Sequence, residues 1–411
     1  MRKLRTEEGR QTLEPRKLTD RLAGSCWPIA GELLCKQACR EAGLDDLGEP
    51  PLEPALSILA TSLQHEANLH LMGRFLMRAH LKGLLATRLR LVQEWRQMDT
   101  PSPIRSPLFI TGMPRSGSTF LHELLAQDPA NRVPHVYEVM FPVKPQVSAK
   151  CDPRIRRAAA CLWMFRRLAP RADSVHPLRA ETPQECVAMH SYTLHSEEFI
   201  TTCRIPTYEA FLHTTDCKPA YVWQNRFLQH LQLSGPAGRW VLKSPDHAYG
   251  LEALFSVFPD ARVVQTHRNP VDVLKSSIQL VEVLHRVFAR RGNRQESALR
   301  EARLLADAME RFIKFRETHS ELAGRFLDVN YGEMVADPMA TVSRIYRHLE
   351  TPLTQTAIEA MRRLIANRSR YQKKGHAPSL ADLGIDVRTE ASRFKRYCSC
   401  FGIPWHPAEV G

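Results

Sequence analysis

Short apolar runs alternate with longer stretches of helical periodicity along most of the chain. Residues 1 to about 25 are polar and mixed in charge, which predicts a loose tail. Trp27 to Cys39 reads as one helix, and Pro50, Pro51 and Pro54 punctuate the segment after it. From Leu56 to about Met98 there is almost no Gly or Pro. Leu59, Leu63 and Leu69 to Leu71 predict one helix there, and Phe75, Leu81, Leu84, Leu85, Leu89 and Leu91 a second. Past Pro101, Pro103 and Pro107 the pattern changes. Leu108-Phe109-Ile110 is a short continuous apolar run, as a buried strand requires. Four further strands are predicted at Arg132–Val136, Arg239–Lys243, Ala261–Thr266 and Phe326–Asn330, and helical patterns come after them. The region 153–235 reads as mostly helical, with Pro170, Pro177, Pro183, Pro206 and Pro219 as boundaries. This alternation predicts an α/β fold with a parallel sheet. No internal repeat is seen. The expected division is a tail and helical extension over 1–100 and an α/β domain over 101–411.

The polar clusters fall just after the predicted strands. They are Arg115-Ser-Gly-Ser-Thr119, Glu138, Lys243-Ser-Pro-Asp-His247, Arg268-Asn-Pro270 and Tyr331. Open α/β sheets bind ligands beyond the carboxyl ends of their strands, so these segments are expected to share one rim. The first cluster is the most specific. Gly112 to Thr119 reads G-M-P-R-S-G-S-T, the phosphate-loop pattern G-x-x-x-x-G-K-[ST] with Ser118 in the lysine position. A strand, a glycine turn and a helix N-terminus form an anion cradle from backbone N–H groups and the helix dipole. The missing lysine weakens a nucleotide-hydrolysing reading, because that lysine serves the β- and γ-phosphates. Here the positive charge is Arg115, inside the loop.

Composition adds constraints. The 411-residue chain, 43% apolar and 25% charged, has the make-up of a soluble globular protein. Its formal charge of +13 suits an anionic ligand, a nucleic acid or an acidic membrane surface. No run approaches the length of a transmembrane helix. Met1-Arg2-Lys3-Leu4-Arg5 leads into Thr-Glu-Glu-Gly rather than an apolar segment, so no secretory signal is visible. The ten cysteines show no disulfide or zinc framework. The nearest pairs are Cys35 with Cys39 and Cys398 with Cys400, and reduced thiols in a cytoplasmic protein are expected. His65-Glu66-Ala-Asn-Leu-His70 resembles the zinc motif H-E-x-x-H, but its second histidine comes one residue late. At about 100° per residue the two rings diverge, and no metal site is read. The cations at 74, 78, 82, 88, 90 and 96 are expected to form a solvated helix face.

A second anion motif, His267 to Ser277, leaves the fourth predicted strand and enters a helix, with Arg268 and Ser276 eight residues apart. Together, Pro114-Arg-Ser-Gly-Ser-Thr-Phe-Leu-His122 and Arg268-Asn-Pro-Val-Asp-Val-Leu-Lys-Ser276 resemble the sulfotransferases that use 3′-phosphoadenosine 5′-phosphosulfate (PAPS) and release PAP. Trp240 to His247, Tyr331 to Pro338 and Ala42 to Gly48 look like the bacterial branch of that family. The resemblance implies a P-loop-like parallel sheet flanked by helices, with a helical N-terminal extension and helical insertions. It implies a 5′-phosphosulfate loop at Arg115, Ser116, Gly117, Ser118 and Thr119. It implies a 3′-phosphate site at Arg268 and Ser276, with Tyr331 and Lys374 beside the cofactor. The cytosolic aryl and steroid enzymes carry lysine in the loop and a histidine base. Arg115 is instead as in tyrosylprotein sulfotransferases and many bacterial members.

Sulfuryl transfer needs in-line placement, a base for the acceptor proton and charge stabilisation on the leaving oxygen. Arg115 holds anionic oxygens but donates no proton, since its pKa exceeds about 12. Lys243 is therefore the candidate for the leaving-group bridge. Glu138 is the candidate base, with His190, His195 and His247 as rivals. No metal is expected. The expected acceptor is a small-molecule or lipid-like hydroxyl, with possible peripheral membrane contact and no nucleic acid. Two other classes stay open: a P-loop-like nucleotide kinase or NTPase, and a non-enzymatic basic protein binding nucleic acid or lipid.

Overall fold

A computed structural model describes residues 27–97, 102–144, 151–170, 177–367 and 380–404. All five predicted strands form: β1 Leu108–Gly112, β2 Asn131–Arg132, β3 Arg239–Lys243, β4 Arg262–His267 and β5 Phe326–Asn330. Their order is β2-β3-β1-β4-β5, and every pairing is parallel. Leu108 lies opposite Val241 and Arg262, Gly112 opposite Thr266, and His267 opposite Asn330. The strands β1, β3, β4 and β5 therefore end on one rim, at Gly112, Lys243, His267 and Asn330.

β2 is shorter than its sequence predicts. Pro134 has no N–H for the ladder, so pairing stops at Arg132 and the chain enters a short helix at Val136–Met140. Similarly, Leu69 leaves the helical pattern to bridge Ala289. This splits the upstream region into helices Ala55–His65 and Leu71–Arg96. His70 of the zinc-like motif is the cap of the second helix, its Nδ1 accepting the Gly73 N–H at 2.9 Å.

The pleat sends alternate residues of each strand to opposite faces. Phe109, Trp240, Leu242 and Val263 face a core that continues through the N-terminal helices. Leu108, Ile110, Val241, Val264 and Val329 face a second core, built on the loop helix Ser118–Leu125 and the helices Pro338–His348 and Gln355–Ala366. Burial on both faces is why β1 and the middles of β3 and β4 read as apolar runs.

The expected solvated basic face of helix Leu71–Arg96 needs correction at Arg74, which is buried and donates to Gln64 Oε1 at 2.6 Å, and at Arg88, which is fully buried. Its guanidinium donates to Leu47 O at 2.7 Å, Tyr192 O at 2.8 Å, Gly48 O at 3.1 Å and to Pro50 O. It also stacks 4.2 Å over the Trp223 ring. A buried charge is tolerated when its donors are met, and here four carbonyls meet them. Arg88 thereby ties the N-terminal helices to the rest of the molecule.

Candidate active site

The turn after β1 is held from beneath. Ser116 is buried, and its Oγ lies 2.6 Å from both Met113 O and Thr266 Oγ1. Thr266 Oγ1 in turn donates to Thr111 O at 3.1 Å. The Ser116 side chain therefore fastens the loop to β4 instead of facing a ligand. Gly117 has φ +90°, and a Cβ there would meet Met334 Cε at 2.4 Å and the Tyr331 ring at 2.9 Å. Only glycine fits the turn that starts the loop helix. Arg115 is also held at positive φ, 65°, a conformation that costs a non-glycine residue about 1 kcal/mol or more.

The two anion motifs close on each other. Arg115 Nε donates to Ser276 Oγ at 2.9 Å, and Arg268 Nη1 donates to the Arg115 carbonyl at 2.9 Å. The Arg268 guanidinium lies 4.3 Å over the Tyr331 ring. Lys243, at the end of β3, donates to Thr119 Oγ1 at 3.2 Å and pairs with Glu185. Arg115, Ser118, Thr119, Lys243, Arg268 and Tyr331 line one end of a cavity of about 740 Å³. The rest of its lining includes the apolar Ile200, Leu280, Leu284, Leu304, Leu305 and Met309, together with the charged Glu197, Glu198, Arg300 and Glu301.

Glu138 is not brought to this cavity. It is buried, bonds Arg132 Nη2 at 2.8 Å and accepts the His135 N–H at 3.0 Å. Burial by itself would raise its carboxyl, but the His135 hydrogen bonds and the Arg132 charge outweigh that and hold it below the usual carboxylate range. From the third helical position it closes a capping box on Val136–Met140. Of the carboxyl groups that line the cavity, Glu185, Glu197, Glu198, Asp246 and Glu301, the one paired with Lys243 is Glu185, which sequence reasoning missed. It follows no strand. Its segment is instead carried by backbone pairing with the chain after β2. Val136 N–H donates to Thr182 O at 3.0 Å, Tyr137 N–H to Ala180 O at 2.9 Å, and Gln184 N–H to Pro134 O at 2.7 Å. The helix that Glu138 caps thus positions Glu185.

Another lining carboxyl, Asp246, is pushed well above its ordinary pKa by burial, reinforced by the charges of Glu197 and Glu185. The three rival histidines are engaged elsewhere. His190 Nε2 lies 2.7 Å from Gln224 Oε1, His195 Nδ1 3.2 Å from Thr193 O, and His247 Nδ1 2.8 Å from Tyr221 Oη. His122, inside the loop motif, has Nε2 3.0 Å from Val241 O. Burial, with Lys243 nearby, pushes its pKa down to about 3. Lys374 lies outside the described residues.

The profile model of the sulfotransferase family matches residues 107–355, which span β1 to β5 and every cavity segment named above. The chain belongs to the sulfotransferase family. Among its relatives, the omega-hydroxy-beta-dihydromenaquinone-9 sulfotransferase Stf3 of Mycobacterium bovis is 25% identical over 280 residues, or 66% of this chain and 69% of the relative. The Stf3 of Mycobacterium tuberculosis matches equally. The crystal structure of sulfotransferase STF1 from Mycobacterium tuberculosis superposes with a TM-score of 0.78 at 30% identity, covering 90% of this chain and all of that one. That of STF9 from Mycobacterium avium gives 0.79 at 25% identity, covering 92% and 97%. This chain is thus a bacterial-type sulfotransferase enzyme with a P-loop-like fold, and its family uses a sulfonate donor. No helix among the described residues is long and apolar enough to cross a membrane.

Proposed function

We propose that this sulfotransferase moves a sulfuryl group from PAPS to the hydroxyl of an apolar, lipid-like acceptor. The observation that carries the reading is the hydrogen-bonded junction of Arg115 with Ser276 and Arg268, which joins two anion motifs into one bipartite site. PAPS supplies a sulfuryl group on a phosphosulfate anhydride and carries a 3′-phosphate as a second anionic handle. The residues fit such a ligand. The loop around Gly117 leaves no room for a Cβ, and Arg115, Lys243 and Arg268 bring three positive charges. Arg115 and the N–H groups of Ser118 and Thr119 hold the 5′ end, while Arg268 and Ser276 hold the 3′-phosphate, with Tyr331 beneath Arg268. Lys374 is proposed to close over the same phosphate. Lys243 offers a proton and positive charge to the leaving oxygen. Glu185, in contact with Lys243, takes the acceptor proton.

The apolar wall supports a long, neutral acceptor. The name of the Stf3 relatives, a hydroxyl-bearing dihydromenaquinone sulfotransferase, agrees with that chemistry. Cysteines 35, 39, 151, 161, 186, 203, 217, 398 and 400 are unpaired, which fits a cytoplasmic, reducing setting.

The first test is binding. PAP raises the melting temperature in the presence of a chelator, because a ligand of the native state stabilises it. ATP and duplex DNA do so far less. No shift at saturating PAP, with the protein folded, removes the proposed donor. The second test separates the two phosphate sites. Arg268→Ala weakens PAP by about 1–3 kcal/mol, the worth of a charge-assisted hydrogen bond. Adenosine 5′-phosphosulfate, which lacks the 3′-phosphate, is affected much less. Equal losses for both ligands count against the 3′-phosphate role.

A further inference from the structure

We propose that the solvent face of helix Pro153–Leu168, with the first turns of helix Leu71–Arg96, docks on an anionic bilayer surface. There it takes a lipid-borne acceptor into the apolar side of the cavity. The inference rests on the lipid-like acceptor proposed above.

The residues of Pro153–Leu168 that face water are unusual. Trp163, Met164 and Leu168 are 55%, 56% and 47% exposed. They sit among Arg156, Arg157 and Arg167, which are exposed on the same side. At about 100° per residue these six positions span roughly 140° of the helix surface. The helix contains five arginines and no acidic residue. Arg167 lies 5.1 Å over the Trp163 ring and Arg157 4.2 Å over Phe141. A solvated helix face puts polar groups outward. Large apolar side chains interleaved with arginine instead match the boundary between headgroups and acyl chains.

The patch is continuous with the reaction cavity. Phe165 lines the cavity and packs with Leu76, Val283 and Val287 in one small cluster under the patch. On helix Pro270–Phe288, Val283 and Val287 share a stripe with Leu280 and Leu284, which line the cavity. On helix Leu71–Arg96, Met72 lies one turn before Leu76 and is exposed, as are Leu71 and Phe75. An apolar track therefore runs from the exposed patch to the acceptor wall. A second copy of this chain is the poorer occupant, because a two-fold contact through this face would set arginine against arginine. Anionic headgroups supply the complementary charge.

Flotation of the full-length protein with vesicles tests the proposal without any substrate. It should bind phosphatidylcholine vesicles containing phosphatidylglycerol and bind pure phosphatidylcholine poorly. Each arginine near an anionic surface contributes about fivefold, so R156Q/R157Q/R167Q should weaken binding about 10²-fold. Trp163→Ser with Met164→Ser and Leu168→Ser should weaken it at least about tenfold. An unaltered PAP-induced melting shift shows that each variant is folded. Parent protein that ignores anionic vesicles, or variants that bind them as well as the parent, overturns the docking role. So does sedimentation showing that the patch holds a dimer while vesicle binding is unaffected. Patch-dependent vesicle binding without sulfation of any long-chain alcohol would overturn the acceptor reading and leave the docking surface standing.

Discussion

Glu185→Gln is expected to lower turnover about 10²–10⁴-fold, the usual contribution of a positioned general base. The substitution keeps the shape of the side chain and its contact with Lys243 while removing the ability to take a proton. PAP affinity should hold or improve, because Glu185 pairs with the Lys243 ammonium and so competes with phosphate oxygens for it. That combination separates a base from a residue that merely shapes the donor site. Lys243→Met makes the opposite comparison, slowing turnover and weakening PAP together. Single-turnover rates with a sulfated product identified by mass spectrometry, set beside PAP titrations, give both quantities. Near-normal turnover in Glu185→Gln would sink the assignment. Glu138 would then return as the base, on condition that it breaks from Arg132.

The second large effect is on stability. Glu138→Gln should destabilise the fold by about 3–5 kcal/mol, because it leaves the buried Arg132 guanidinium without its counter-charge. Arg132 has few alternatives. Its Nη2 reaches Leu231 O at 3.4 Å, and its Nε is buried without a hydrogen-bond partner. The sign of the pH dependence comes from the depressed carboxyl. Stability from the ion pair is complete above the unfolded glutamate value of about 4.3, and is lost as pH falls through the lower folded value. Urea melts of parent and mutant across that acid range measure it. Turnover per PAP-binding site should stay close to the parent value in the mutant. A 10²-fold loss per site with unchanged melting would reverse this and make Glu138 chemical rather than structural.

The contrast between the two glutamates shows what the chain discloses in one dimension. β1, β3 and β4 are legible because burial on both faces demands apolar runs, and the half-buried β5 from its short Phe-Leu-Asp-Val stretch. Arg115, Lys243 and Arg268 are legible because they sit at the ends of such runs. Glu138 met the same rule, but Pro134 ended β2 early and turned the next residues into a capped helix that points the carboxylate at Arg132. Glu185 met no local rule. Its place depends on backbone hydrogen bonds between 180–184 and 134–137, segments more than forty residues apart. Periodicity records which side of an element is buried, not which distant segment lies alongside. Arg88 makes the same point, since its carbonyl partners are contributed by a loop and a helix end far from its own helix.

The bond from Arg268 to the Arg115 carbonyl, with Arg115 at positive φ, makes the donor site a single lever. On the proposed reading, engagement of the 3′-phosphate tightens the guanidinium that fixes the loop backbone at the 5′ end. A nucleotide lacking the 3′-phosphate therefore loses more than one contact. It meets a loop braced by an arginine that no phosphate holds in place, so fidelity for the donor is exercised where the sulfuryl group is handed over, not only where the distinguishing phosphate sits.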